Sequence, residues 1–209
     1  MSTAALLTRK PSRPVPGVPL LPNGPELARA RVHEACGLSR RSLAIWLSAQ
    51  TQGAILWAAP AWDGEGLNPC GIMPFVDPAR LIFVRPRRPE DILWTVEETL
   101  RSGTVALVVA DLPGLPSLTQ VRRMHLAAET GAALAPTAPV GLLLTPGQLG
   151  GAPGVESRWS LTPAHAGGSS AWTLERLRAR TAPVKAWRVT RTPGHALPHI
   201  ANTDRAQVS

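Results

Sequence analysis

Four short apolar runs, spaced by stretches of helical periodicity, constrain this chain more than any other feature of its sequence. They are Ala54 to Ala59, Leu81 to Val84, Thr104 to Ala110 and Val140 to Thr145. None alternates between apolar and polar positions, as a strand with one wet face would. Continuous runs of this length suit strands covered on both faces. The intervening segments read as helices. Ser39 stands where a cap would open a helix through Gln50, with Leu43, Trp46 and Leu47 on one face. Pro89-Glu90-Asp91 places proline and two acids in a first turn; Leu93, Val96 and Leu100 then share a face, and Gly103 is a stop. Ser117 begins a third helix, with Val121, Met124 and Ala128 inward and Gly131 at its end. Strands alternating with helices predict an α/β fold with a parallel central sheet flanked by helices.

After Gly150 the pattern changes. Arg158 to Leu161, Ala171 to Arg178 and Ala186 to Val189 alternate or nearly so, which predicts an antiparallel β extension at the sheet edge. Trp172, Leu174 and Leu177 break period two, so a bulge or a helical turn belongs there. The expected organisation is a flexible arm over 1–26, where six prolines suppress periodicity, an α/β core over 27–154, a β-meander over 155–190 and a flexible tail over 191–209.

Net charge is +8, and Lys10 and Lys185 are the only lysines, so the basicity is almost all arginine. Two readings fit: an anionic partner such as DNA, RNA or an acidic protein face, or an arginine-rich composition with no specific partner. Cys36 and Cys70 lack metal-ligand spacing, and two lone thiols suit a reducing cytosol. No segment has signal-peptide form or the ~20 apolar residues of a membrane span, so a cytoplasmic protein with no membrane partner is expected. The five histidines are scattered, and neither a metal site nor a catalytic nucleophile is legible.

The turn Cys36-Gly37-Leu38-Ser39-Arg40-Arg41-Ser42 lies where α/β folds place a phosphate loop, between an apolar approach (Val32, Ala35) and a helix. A working Walker A loop needs a second glycine to wrap the phosphate, a lysine for the terminal phosphates and a hydroxyl for magnesium. Here Gly37 remains, while the second glycine and the lysine are missing. Arg40, Arg41 and Ser42 then either hold an anion at the helix N-terminus or simply face water. Asp111 occupies a Walker B-like position, or caps the next element. At the exit of the run 54–59, Pro60 stands where such an ATPase needs a carboxylate, and Asp63 and Glu65 follow on what reads as a loop.

Several stretches together resemble bacterial RecA-like proteins. Trp94 to Leu112 is similar to the helix, Ser-Gly turn and Walker B strand of RecA. Arg31 to Gly37, Gly53 to Trp57, Pro60 to Trp62, Leu67 to Pro69, Arg87 to Asp91, Val121 to Leu126, Leu142 to Pro146, Gly154 to Trp159 and Leu174 to Arg180 resemble the ImuA family most, over roughly residues 25–190. The resemblance implies a RecA-like fold and a part in the SOS response: an accessory protein of error-prone translesion DNA synthesis in a mutasome, beside an ImuB-like protein and a DnaE-type polymerase. RecA is a further expected partner, and contact with DNA is expected to be indirect. The degenerate loop implies a non-catalytic adaptor with no cofactor, neither ATP nor magnesium. The candidate partner-binding residues are Trp172, Arg176, Arg178, Arg180, Trp187 and Arg188, since Trp and Arg dominate binding hot spots; alternatively these tryptophans cover the sheet edge while the arginines face water. Three other functions stay open. One is an ATPase in which Arg40 or Arg41 replaces the lysine and Ser42 and Asp111 hold magnesium; the others are a DNA-binding module using the basic meander and the terminal arms, and a cell-division inhibitor.

Overall fold

A single sheet of nine strands organises the chain in a computed structural model that describes residues 17–64, 66–192 and 194–201. The elements in order are β1 (Val18–Pro19), β2 (Glu26–Leu27), β3 (Arg31–Cys36), α1 (Arg40–Ala49), β4 (Ile55–Ala58), α2 (Pro69–Ile72), β5 (Leu81–Val84), α3 (Pro89–Ser102), β6 (Leu107–Asp111), α4 (Leu118–Leu134), β7 (Val140–Leu144), β8 (Ser157–Pro163), β9 (Ser170–Ala179), β10 (Lys185–Arg191) and β11 (His199–Ile200). The large sheet runs β11-β10-β9-β8-β3-β7-β6-β4-β5. The segment from β8 to β5 is parallel throughout, and the order turns antiparallel at β9. The chain is thus α/β, with a mostly parallel mixed sheet flanked by helices and antiparallel strands at its C-terminal end.

Three of the four continuous apolar runs are strands buried on both sides, β4, β6 and β7; the fourth needs correction, because β5 is the edge of the sheet and leaves Ile82 and Phe83 exposed. Ala35, Trp57, Val109 and Leu142 face α1, where Leu43 and Leu47 pack. Val32, Leu56, Val108 and Leu143 face α3 and α4, meeting Val96, Leu100, Val121, Met124 and Ala128. Each strand sends alternate residues into the two layers, so both parities must be apolar. The apolar approach to the phosphate-loop turn is β3, a central strand lying between β7 and β8.

Helix ends follow the expected chemistry except at Ser39, whose side chain caps nothing, and at Gly131. Gly103 takes a left-handed conformation (φ 65°) after α3, and Ser117 forms a capping box with Gln120 at the start of α4. Gly131 does not end α4, which continues to Leu134. Its role is close approach: a Cβ on residue 131 would lie 2.0 Å from the Leu100 carbonyl oxygen, so only glycine lets α4 cross α3 here.

The expected flexible arm needs correction over its described part. Residues 17–27 fold back as the β1–β2 pair, and Val18, Leu20, Leu21 and Leu27 are fully buried in the α1-side core. Four apolar side chains outweigh the prolines, which a two-residue strand tolerates. Residues 1–16 lie outside the described residues. The expected tail is likewise ordered in part: Arg191 ends β10, β11 pairs with β10, and Leu197 and Ile200 pack on the core. Residues 202–209 lie outside the described residues.

The irregularity expected in the 171–178 segment is a bulge. Arg158 faces Arg178 and Trp159 faces Arg176, which leaves Leu177 without a partner on β8. That extra residue reverses the side on which the following side chains emerge. Arg176 shares the Trp159 face, whereas Arg178 and Arg180 emerge on the other. Among the described residues, no helix is long and apolar enough to cross a membrane.

Candidate functional site

The turn after β3 holds the features expected of a phosphate cradle, but three of its amide donors are already engaged. Gly37 has φ 86°, a conformation that favours glycine. A Cβ there would lie 2.5 Å from the Leu161 carbonyl oxygen of β8. The Gly37 N–H donates to the Gly147 carbonyl at 2.9 Å, the Ser39 N–H to the Leu161 carbonyl at 3.0 Å, and the Arg40 N–H to the Gly37 carbonyl at 3.2 Å. Three amide donors at the mouth of α1 thus meet protein oxygens, not an open anion site. Ser39 is the N-cap residue, but its side chain caps nothing.

The side chains close the space further. Asp111 ends β6, and its side chain is 5% exposed. Arg41, from the first turn of α1, donates through Nε to Asp111 Oδ2 and through Nη2 to Asp63 Oδ2 at 2.6 Å. Burial opposes the Arg41 charge, but the hydrogen bond and charge of Asp111, then those of Asp63, outweigh it and hold the guanidinium above its ordinary pKa. A second guanidinium, that of Arg40, stands 3.9 Å from Asp111 Oδ1, and its buried Nε has no hydrogen-bond partner among the described residues. Asp111 is therefore the anchor of an ion cluster and not the cap of the next element. Asp63 lies on the loop after β4, as its sequence context suggested, while Glu65 lies outside the described residues.

The groups that a nucleotide–magnesium complex would use are engaged with one another in this structure. Asp111 is paired with Arg41, Arg41 bridges Asp111 and Asp63, and Pro60, not an acid, follows shortly after β4. Ser42 instead borders an apolar cavity of about 220 Å³ beside α1, walled mainly by Ile45, Trp46, Phe75 and Trp172. Among the described residues, no group of three or more His, Cys, Asp or Glu side chains could hold a metal ion.

Two buried polar residues of β3 carry a constellation that sequence reasoning missed. Glu34 is 0% exposed and accepts from Thr145 Oγ1 (2.7 Å), the N–H groups of Gly151 (2.7 Å) and Ala152 (3.0 Å), and Arg158 Nε (2.5 Å). His33 is 1% exposed. Its Nε2 donates to the Ala28 carbonyl (2.9 Å), so Nδ1 accepts from Ser157 Oγ (2.7 Å), which itself accepts from Trp159 Nε1 (2.7 Å). Burial pushes the His33 pKa down to about 4. Together these contacts bolt β3 to β8 and to the turn after β7. The available signal was a His-Glu pair inside the apolar run Val32 to Cys36, where an unpartnered charge would be excluded.

Of the predicted partner-binding residues, the tryptophans are not exposed anchors. Trp172 packs edge-on against Trp46 at 5.0 Å, and Trp187 lies 5.7 Å from Trp159; both are half-buried on the core. Arg176 is half-buried as well, 5.6 Å from the centre of the Trp159 ring and 5.3 Å from that of Trp187. Arg178, Arg180 and Arg188 are exposed. The exposed tryptophans are Trp62 (53%) and Trp94 (61%), on the other side of the chain's midpoint. The alternation of the meander concealed this, because each tryptophan falls on the parity that faces α1. Cys36 is buried and its thiol pKa is pushed up to about 11 by burial and then by the Glu34 charge, while Cys70 is exposed. No family model matches the chain, and no curated protein matches it.

Proposed function

We propose that the chain is a non-catalytic, RecA-like accessory protein of SOS-induced error-prone translesion synthesis, of the ImuA type. It acts in the cytoplasm as an adaptor among an ImuB-like protein, a DnaE-type polymerase and RecA. The observation that carries this reading is the Arg41–Asp111–Asp63 cluster: the strand order and turn of a phosphate-binding fold persist, while an internal ion pair takes up the groups that nucleotide chemistry would use. The resemblance of the scattered motifs supplies the pathway. Exposed apolar side chains on the parallel half, Trp62, Trp94, Leu115 and Leu126 among them, are better docking anchors than the half-buried Trp172 and Trp187.

The test is recovery of the tagged full chain from cells after DNA damage, together with the damage-induced mutation frequency of a deletion strain. The expected result is co-purification of a polymerase and a Y-family-like subunit, and at least ten-fold less induced mutagenesis. Unchanged mutagenesis, or magnesium-dependent ATP turnover by the purified chain, would overturn the reading.

A further inference from the structure

The charge of this protein is not spread over it. Residues 17–154 carry eleven arginines and eleven acids, so the α/β part is neutral. Residues 155–201 carry six arginines and Lys185 against only Glu156 and Glu175. A composition bias alone would enrich both parts alike. Exposed apolar surface divides the opposite way: among the described residues, only Val184 of the large exposed hydrophobic residues lies beyond residue 150.

The bulge at Leu177 decides where this charge points. It turns Arg178 and Arg180 onto the side of the sheet occupied by α3 and α4. Those helices pack on β3, β4, β6 and β7, which leaves that side of β9 and β10 open. Arg188 emerges on the same side, opposite Thr173, and Thr162 and Thr190 add hydroxyls. Toward α4, Arg180 and Arg122 border a groove of about 380 Å³. Two acids border this groove, Glu129 and Glu156, and Arg31 stands between them at 2.5 Å and 3.6 Å, while the buried Glu34 is paired with Arg158. Arg180 stands a further 3.8 Å from Glu156, with its side chain 68% exposed, and Glu175 is the one acid left on the open strands.

We propose that this open face, carrying Arg122, Arg178, Arg180 and Arg188, binds a nucleic-acid phosphodiester backbone directly. Repeated cations interleaved with hydroxyls suit phosphate oxygens. An acidic protein is the poorer occupant of the open strands, because the centre of a protein interface needs exposed aromatic or aliphatic anchors, and here these stand only at the α4 edge of the face, as Leu118 and Leu126. The inference rests on the charge distribution and not on the adaptor role.

The experiment is fluorescence anisotropy of the full chain with a labelled 20-nucleotide oligo-dT and with a 20-base-pair duplex, over a salt series. Binding of either strand form is expected, and their ratio tells which form the face prefers. The triple variant Arg178→Ser/Arg180→Ser/Arg188→Ser should bind at least ten-fold more weakly. Its log-log salt slope on oligo-dT should be shallower by about two, from about 0.7 per phosphate contact. Arg87→Ser/Arg88→Ser, on the neutral half, should leave binding unchanged. Glu175→Gln should tighten it, which keeps the proposal testable if the triple variant folds poorly. Three results would overturn it: no anisotropy change with either probe at 20 mM salt, undiminished binding by the folded triple variant, or displacement of oligo-dT by polyglutamate at equal charge concentration.

Discussion

The two halves of the sheet carry opposite surfaces. The parallel half, from β3 to β5 with its helices, has balanced charge and almost all the exposed apolar side chains, including Trp62, Trp94 and the edge-strand pair Ile82 and Phe83. The antiparallel half, from β9 to β11, has the excess charge and keeps its tryptophans half-buried. The difference teaches that aromatic content does not locate an interface by itself. Trp172 and Trp187 fall on the strand parity that faces α1, so they act as core; Trp94 lies on the outer face of α3, so it is free to act as an anchor.

The halves meet at β3 and β8, and there the buried polar contacts concentrate. If this joint holds the halves together, its removal should have the largest effect on stability. Glu34→Ala strands Arg158 and the donors of Thr145, Gly151 and Ala152, and should destabilise by about 3–5 kcal/mol, as for a buried ion pair broken from one side. Urea denaturation of the variant and the parent checks this; a loss under about 1 kcal/mol, in the range of exposed pairs, would show that the joint is not where the halves are fastened.

Acidification probes the same joint more gently. His33 stays neutral in the fold until about pH 4, whereas in the unfolded chain it takes up a proton near its ordinary value of about 6.5. The unfolded state therefore binds the extra proton first. Stability is full above pH 6.5 and falls progressively toward pH 4, by up to roughly 3 kcal/mol at about 1.4 kcal/mol per pH unit. His125 and Arg31 lie close enough to disfavour the His33 charge further. Denaturation midpoints at pH 7 and pH 5 should differ clearly in the parent and much less in His33→Gln. Equal slopes in both proteins would remove His33 from the joint.

The smallest effect belongs to the ion cluster within the parallel half. Arg41→Met leaves the buried Asp111 carboxylate without its closest partner. Because Arg41 is about a quarter exposed (27%), solvent screening reduces the loss to on the order of 2 kcal/mol. Arg41→Met combined with Asp111→Leu should recover most of it, since two apolar groups replace the pair. A double variant as unstable as the single one would mean that Arg41 acts by packing and not by charge.

Much of the architecture was legible before any coordinates. Unbroken apolar runs specified strands, three of them covered on both faces, although Leu81 to Val84 lies at the sheet edge with Ile82 and Phe83 exposed; Pro89, Gly103 and Ser117 mark helix ends because their backbone preferences are local. The absence of a second glycine and a lysine after Gly37 was equally plain, as it needs only residue identity. Other features were settled by residues far apart in the chain. The two-strand hairpin at 17–27 forms because four apolar side chains find the α1 face, and α4 continues through Gly131 because α3 passes against it. Glu34 is tolerated in the core only because Arg158, Thr145 and the 151–152 amides converge on it. Arg178 points to the open face only because Leu177 is left over in the pairing of β8 with β9. Local propensity and periodicity are written along the chain, whereas pairing register, close approach and the satisfaction of a buried charge are relations between distant segments that exist only once it has folded.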